Sequence, residues 1–124
     1  MAKKKVLIVD DERDLREALG AMVEAEGFEV LSAKDGAEGL ETALKEKPDL
    51  ILLDIVMPKM DGFEVLDKLR EDEWGKKVQV IFLTVLEDME SVSRAIAQGG
   101  HEYLVKTDWA LEEVAKKIRE KLGV

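Results

Sequence analysis

Cysteine is absent from this 124-residue sequence, which removes both a disulfide framework and any thiolate metal site. Long apolar runs are absent as well, and none approaches the ~20 residues needed to span a bilayer. The opening Met1-Ala2-Lys3-Lys4-Lys5 leads at once into a short strand-like segment and then into acids, which does not read as a secretory signal. Neither G-x-G-x-x-G nor G-x-x-x-x-G-K-S/T occurs, so the sequence lacks the glycine-rich turns that bring backbone amides up to a nucleotide's phosphates. Basic residues are in deficit, 19 against 28 acidic, and a net charge of −9 gives a surface that repels phosphate backbones. These absences predict a soluble cytoplasmic protein with no membrane role and no direct contact with nucleic acid.

What remains is well suited to a core. Hydrophobic residues make up 46% of the chain, which argues against disorder, and the length fits one compact domain. The charged fraction of 38% is dominated by Glu and Lys on helical segments, and fits either thermal adaptation or deliberate idealisation of the sequence.

Two kinds of segment alternate along the chain. Short apolar, β-branched runs occur at Val6–Val9, Val30-Leu31, Leu50–Leu53, Val80–Leu83 and Tyr103–Val105. Three of them are nearly continuous rather than alternating, as expected of strands covered on both faces. Between them lie helical stripes: Leu15, Leu19, Met22 and Val23, stopping at Gly27; then Ala37, Leu40 and Leu44, closed by Pro48. Asp61-Gly62-Phe63-Glu64 resembles a capping box ahead of Phe63, Leu66 and Leu69. Val92, Ala95 and Ile96 precede Gly99-Gly100, and a last helix starting near Asp108 carries Leu111, Val114, Ile118 and Leu122. The order βαβαβαβαβα with short connections predicts an α/β fold, a doubly wound, five-stranded parallel sheet with helices on both faces, for which the strand order 2-1-3-4-5 is expected. No linker or repeat interrupts it. Residues 1–124 read as a single domain with no room for an output domain.

In such a fold, function lies beyond the carboxyl ends of the strands. The first strand ends in Asp10-Asp11-Glu12. Acids there suit a hard cation such as Mg²⁺, which takes one or two carboxylates plus water and phosphate oxygens; helix capping would account for them equally well. The third strand ends in Asp54, ahead of Ile55-Val56-Met57-Pro58, where it either serves chemistry or simply starts a turn. The fourth ends in Thr84, a common strand residue, and the fifth in Lys106, for which a surface lysine is the ordinary explanation. Taken together, three carboxylates, a hydroxyl and an ammonium converge on one sheet edge, whereas the second strand's end, Ala33-Lys34, offers no acid. That set supports phosphoryl transfer to a carboxylate. A divalent cation keeps the acids ionised, Asp54 attacks, Lys106 offsets charge on the phosphoryl oxygens, and Thr84 donates a hydrogen bond to one of them.

The succession VLIVDDE, DLILLDIVMPKMDG, VIFLT and EYLVK resembles the receiver domain of response regulators in two-component signalling, close to the single-domain chemotaxis type. The resemblance covers essentially the whole chain and implies a flavodoxin-like (βα)5 fold. It implies Asp10 and Asp11 as Mg²⁺-binding acids, Asp54 as phosphoacceptor, and the backbone carbonyl of Val56 as a further metal ligand. Thr84 and Lys106 become the phosphoryl-sensing pair, and Tyr103 falls at an aromatic switch position, although an ordinary strand aromatic reads the same way. The implied donor is a histidine kinase or phosphotransfer protein. The implied output surface is built from the fourth helix, fifth strand and fifth helix, on a monomer or a phosphorylation-dependent homodimer. The protein would be a regulator rather than an enzyme.

Departures from the family pattern carry expectations of their own. Thr107 follows Lys106 where the family usually has proline after a cis bond, and a cis bond before a residue other than proline costs about 2.5–4 kcal/mol. Val85 stands where a small residue is usual, and the apolar Val56 and Leu86 offer nothing to orient an attacking water, so self-hydrolysis should be slow. The only histidine, His101, reads as a surface residue, and Trp109 as a packing or partner-facing one. Rival readings are a pseudo-receiver that binds protein without phosphorylation, a phosphatase of the haloacid dehalogenase type, and an excised or designed receiver. The phosphatase would need an acid two residues after the nucleophile, where Val56 stands.

Overall fold

The computed structural model describes residues 3–84, 97, 102–105 and 111–124, with the backbone path alone at 84 and 102–105. Five strands, β1 (Lys5–Val9), β2 (Glu29–Ala33), β3 (Leu50–Asp54), β4 (Gln79–Thr84) and β5 (Glu102–Val105), pair in parallel in the order β2-β1-β3-β4-β5. Helices α1 (Arg13–Ala25), α2 (Gly36–Glu46), α3 (Gly62–Arg70) and the C-terminal helix (Leu111–Leu122) cover its two faces. This is the doubly wound, flavodoxin-like arrangement expected from the sequence. Among the described residues, no helix is long and apolar enough to cross a membrane.

Successive side chains of the central strands point to opposite faces and fill two separate cores. Val6, Ile8, Leu50, Leu52, Ile81 and Leu83 meet Leu19 and Val23 of α1, Phe28, and Val114 and Ile118 of the C-terminal helix. Leu7, Val9, Ile51, Leu53, Val80 and Phe82 meet Ala43 of α2 and Phe63, Leu66 and Leu69 of α3. Both faces are buried, which is why these strands show no polar alternation.

Local chemistry sets the helix ends. Gly27 (φ 94°) closes α1: its amide donates to the Glu24 carbonyl at 3.0 Å and that of Phe28 to the Val23 carbonyl at 3.3 Å. That is a Schellman motif with Phe28 and Val23 in one core, as the stripe ending at Gly27 predicts. Asp35 caps α2 by accepting from the Glu38 amide, and Asp61 caps α3 by accepting from the Glu64 amide at 2.9 Å.

The phase of α2 differs from the expected stripe. Ala37 is exposed, Leu44 is 38% exposed, and Leu40 is only partly buried. The buried positions are Gly36, Gly39 and Ala43, because α2 lies too close to the sheet for larger side chains. A Cβ on Gly39 would sit 2.7 Å from a Val9 methyl carbon. In the C-terminal helix Val114 and Ile118 are buried as expected, while Leu111, its first residue, is exposed. The stripe of Val92, Ala95 and Ile96, and the helix start near Asp108, lie outside the described residues.

Candidate functional site

The strand register assembles the site. Val9 of β1 pairs with Leu53 of β3, so the residues that follow, Asp10 and Asp54, leave the sheet side by side. Asp54 pairs in turn with Leu83, and Thr84 with Val105, so the ends of β1, β3, β4 and β5 reach one edge together. One carboxylate oxygen each from Asp10, Asp11 and Asp54 lies within 4.8 Å of the others. Asp10 is 0% and Asp54 2% exposed, whereas Asp11 faces solvent. That contrast is what a cation entering from solvent requires.

Hydrogen bonds hold the two buried acids in place. The Asp10 amide donates to the Ala33 carbonyl at 3.2 Å, and its Oδ1 accepts from the Glu12 amide at 2.8 Å, turning the chain toward α1. Arg16, one turn into α1, donates through Nη1 to the Asp10 carbonyl at 2.8 Å. The N-cap of α1 is Glu12, and its side chain makes no capping bond, so capping does not explain Asp11. Asp54 Oδ1 accepts from the Val56 amide at 3.3 Å. The next amide, that of Ile55, donates to the Leu83 carbonyl at 3.3 Å, which carries the β3–β4 pairing one step past Asp54.

The loop beyond Asp54 folds back on itself. Its Met60 amide donates to the Pro58 carbonyl at 2.8 Å around Lys59, whose φ of 68° makes this a γ-turn of the strained, positive-φ kind. Met57 is buried against the α2–α3 core and Met60 packs on its edge. Val56 is 49% exposed and stands at the rim of the acid cluster.

The donor set fits a hard cation. Three carboxylate oxygens match the oxygen-only preference of Mg²⁺, which sets ligand oxygens about 3–4 Å apart at bond lengths of about 2.1 Å. A small side-chain rotation or a bridging water would close the 4.8 Å span. Burying Asp10 and Asp54 beside each other is costly without positive charge nearby, a charge to which a bound divalent ion would contribute.

Sequence reasoning thus brought Asp10, Asp11 and Asp54 together, and the structure does the same. Thr84 and Tyr103 occupy the expected backbone positions at the ends of β4 and in β5, with their side chains outside the described residues. Lys106, Thr107, Val85, Leu86, His101 and Trp109 also lie outside them. Sequence reasoning missed Arg16, Lys59 and Gly62. Of these only Gly62 left a signal, in its place directly after a helix-capping Asp.

Residues 6–119 match the family described as the response regulator receiver domain. The chain belongs to this family. It is therefore a module of two-component signalling, regulatory rather than enzymatic in the ordinary sense. The receiver domain superposes on the chemotaxis protein CheY4 of Vibrio cholerae with a TM-score of 0.90 at 33% identity, covering 96% of this chain and 98% of that one. A CheY-like receiver domain protein of Methanospirillum hungatei superposes with a TM-score of 0.91 at 30% identity, covering 98% of this chain and 95% of that one. Among curated relatives, a probable transcriptional regulator ycf27 of Porphyridium aerugineum is 36% identical over 122 residues, 98% of this chain and 49% of the relative. The DNA-binding dual master transcriptional regulator RpaA of Synechocystis is 34% identical over 93% of this chain and 47% of the relative. The receiver domain spans about half the length of these curated relatives.

Proposed function

We propose that this receiver domain is a phosphorylation switch in which Asp54 takes a phosphoryl group from the phosphohistidine of a histidine kinase or phosphotransfer protein. An Asp54 carboxylate oxygen attacks phosphorus as the bond from phosphorus to the donor's imidazole nitrogen breaks, leaving an aspartyl-phosphate and a neutral donor histidine once a proton is taken up. Asp10, Asp11, Asp54 and the backbone carbonyl of Val56 would hold Mg²⁺, which when bound offsets negative charge on the transferring group. The observation that carries this reading is the meeting of three carboxylates within 4.8 Å, two of them buried, at the carboxyl edge of the sheet. Thr84 and Lys106, at the carboxyl ends of the fourth and fifth strand segments, are the residues proposed to contact the phosphoryl oxygens, and the family resemblance makes Tyr103 the responding aromatic.

The output is a change in partner binding on the surface formed by β5 and the helices that flank it in sequence, in a monomer or in a homodimer that forms on phosphorylation. The net charge of −9 favours a protein partner over nucleic acid for this segment, and the cytoplasm is the compartment where such donors act. Val56, half-exposed and apolar beside Asp54, offers no group to orient water, so self-hydrolysis is slow and the phosphorylated form long-lived.

The test uses acetyl phosphate with and without Mg²⁺, followed by intact mass. The expected result is a Mg²⁺-dependent gain of one phosphoryl group that Asp54→Asn abolishes and that decays slowly after the donor is removed. A gain that persists in Asp54→Asn displaces the acceptor. Absence of any gain in the parent chain favours the pseudo-receiver that binds protein without phosphorylation.

A further inference from the structure

We propose that Gly62 is a positioning residue for the phosphoacceptor, its missing side chain letting the first turn of α3 seat directly on the Asp54–Ile55 peptide. The inference rests on the reading of Asp54 as acceptor. The Gly62 amide donates to the Ile55 carbonyl at 2.9 Å, and a Cβ on Gly62 would lie 2.4 Å from the Asp54 carbonyl oxygen and 2.9 Å from Ile55 Cα. Those atoms are backbone, at the end of a buried central strand whose pairing to β4 continues through Ile55. They cannot turn aside as the tip of a side chain would.

A methyl group at this position has two outlets. Lifting α3 breaks the Gly62–Ile55 hydrogen bond and draws Phe63 from Phe82, whose ring centroid lies 5.4 Å away. Swinging the Asp54–Ile55 peptide instead turns Asp54 at its Cα and carries off the Val56 amide that meets its carboxylate. The second route moves the Asp54 side chain directly, and the first frees the Ile55 carbonyl next to the Val56 amide that meets it. Backbone torsion is not the reason for glycine here, because Gly62 is not among the positive-φ glycines. Space is the reason.

Gly75 supplies the control. It follows α3 at the opposite end of the sheet, and a Cβ there would lie 1.9 Å from the Leu69 carbonyl oxygen, an equally unyielding backbone contact far from the acids. Gly62→Ala and Gly75→Ala are compared with the parent chain by calorimetric Mg²⁺ titration, by acetyl phosphate labelling at saturating Mg²⁺, and by thermal midpoint. A stabilising osmolyte, excluded from the protein surface, is present throughout to favour the folded state of both variants. Both midpoints are expected to fall. Gly62→Ala alone is expected to weaken Mg²⁺ binding and slow labelling, roughly ten- to hundredfold, since small misplacements of a reacting group cost that much. Gly62→Ala with the parent's Mg²⁺ affinity and labelling rate overturns the proposal. A Gly62→Ala chain that stays unfolded in osmolyte also overturns it, because the glycine then serves the fold and not the carboxylate. A parent chain that takes up neither Mg²⁺ nor phosphoryl removes the functional reading itself, a result separate from any difference between the variants.

Discussion

On one face of the sheet α1 presents Leu19 and Val23 to the strands, while on the other α2 presents Gly36, Gly39 and Ala43. The first helix stands off at the width of a leucine and fills the gap with large side chains. The second comes so close that a Cβ on Gly39 would overlap Val9 of β1, and its first residue sits as tightly on the loop beyond β3, where a Cβ on Gly36 would lie 2.5 Å from the Met60 carbonyl oxygen. Removing volume should therefore hurt the α1 face, and adding volume should hurt the α2 face.

Leu19→Ala offers the largest effect. Leu19 is fully buried, so truncation loses burial and leaves a cavity, and a loss of about 2–5 kcal/mol in denaturant unfolding is expected. A smaller loss would mean that α1 collapses inward and the face is less tightly built than described. Next comes Gly39→Ala. Helix propensity alone would make it stabilising by about 0.5–1 kcal/mol, but overlap with a stiff, buried valine should turn this into a loss of about 1–3 kcal/mol. A stabilised variant would erase the contrast between the helices. The smallest effect is expected at Arg119→Ala, which removes the pairing of Arg119 with Glu26 across the ends of the C-terminal helix and α1. Both partners are part-exposed, so the loss should stay below about 1 kcal/mol and fade further with added salt.

The same contrast explains what could be read from the sequence. Leu19, Val23, Val114 and Ile118 announce their faces through apolar spacing, because on that side burial is made by large side chains. The nearly continuous runs in β1, β3 and β4 likewise marked strands covered on both faces, and their alternation with helices marked a parallel sheet. On the α2 side the period misleads. Leu44 fits the stripe but points outward, since close approach selects the residues that add least to the helix surface. The acids were legible for another reason. Asp10, Asp11 and Asp54 each interrupt or end an apolar run, and strand order alone brings them together. Arg16 was not legible, since an arginine on the polar side of a helix carries no mark of the carbonyl it holds. Lys59 was not either, because nothing in a lysine signals a positive φ.

The central strands act as a bulkhead between two compartments. Neighbouring residues such as Leu52 and Leu53 belong to different interiors, and only main chain passes from one to the other. Changes on opposite sides have few side chains in common and should combine by simple addition. Helices over one compartment can then be re-tailored to a new partner while the other keeps its fit, and the pairing of β1 with β3 still sets Asp10 beside Asp54 on the rim.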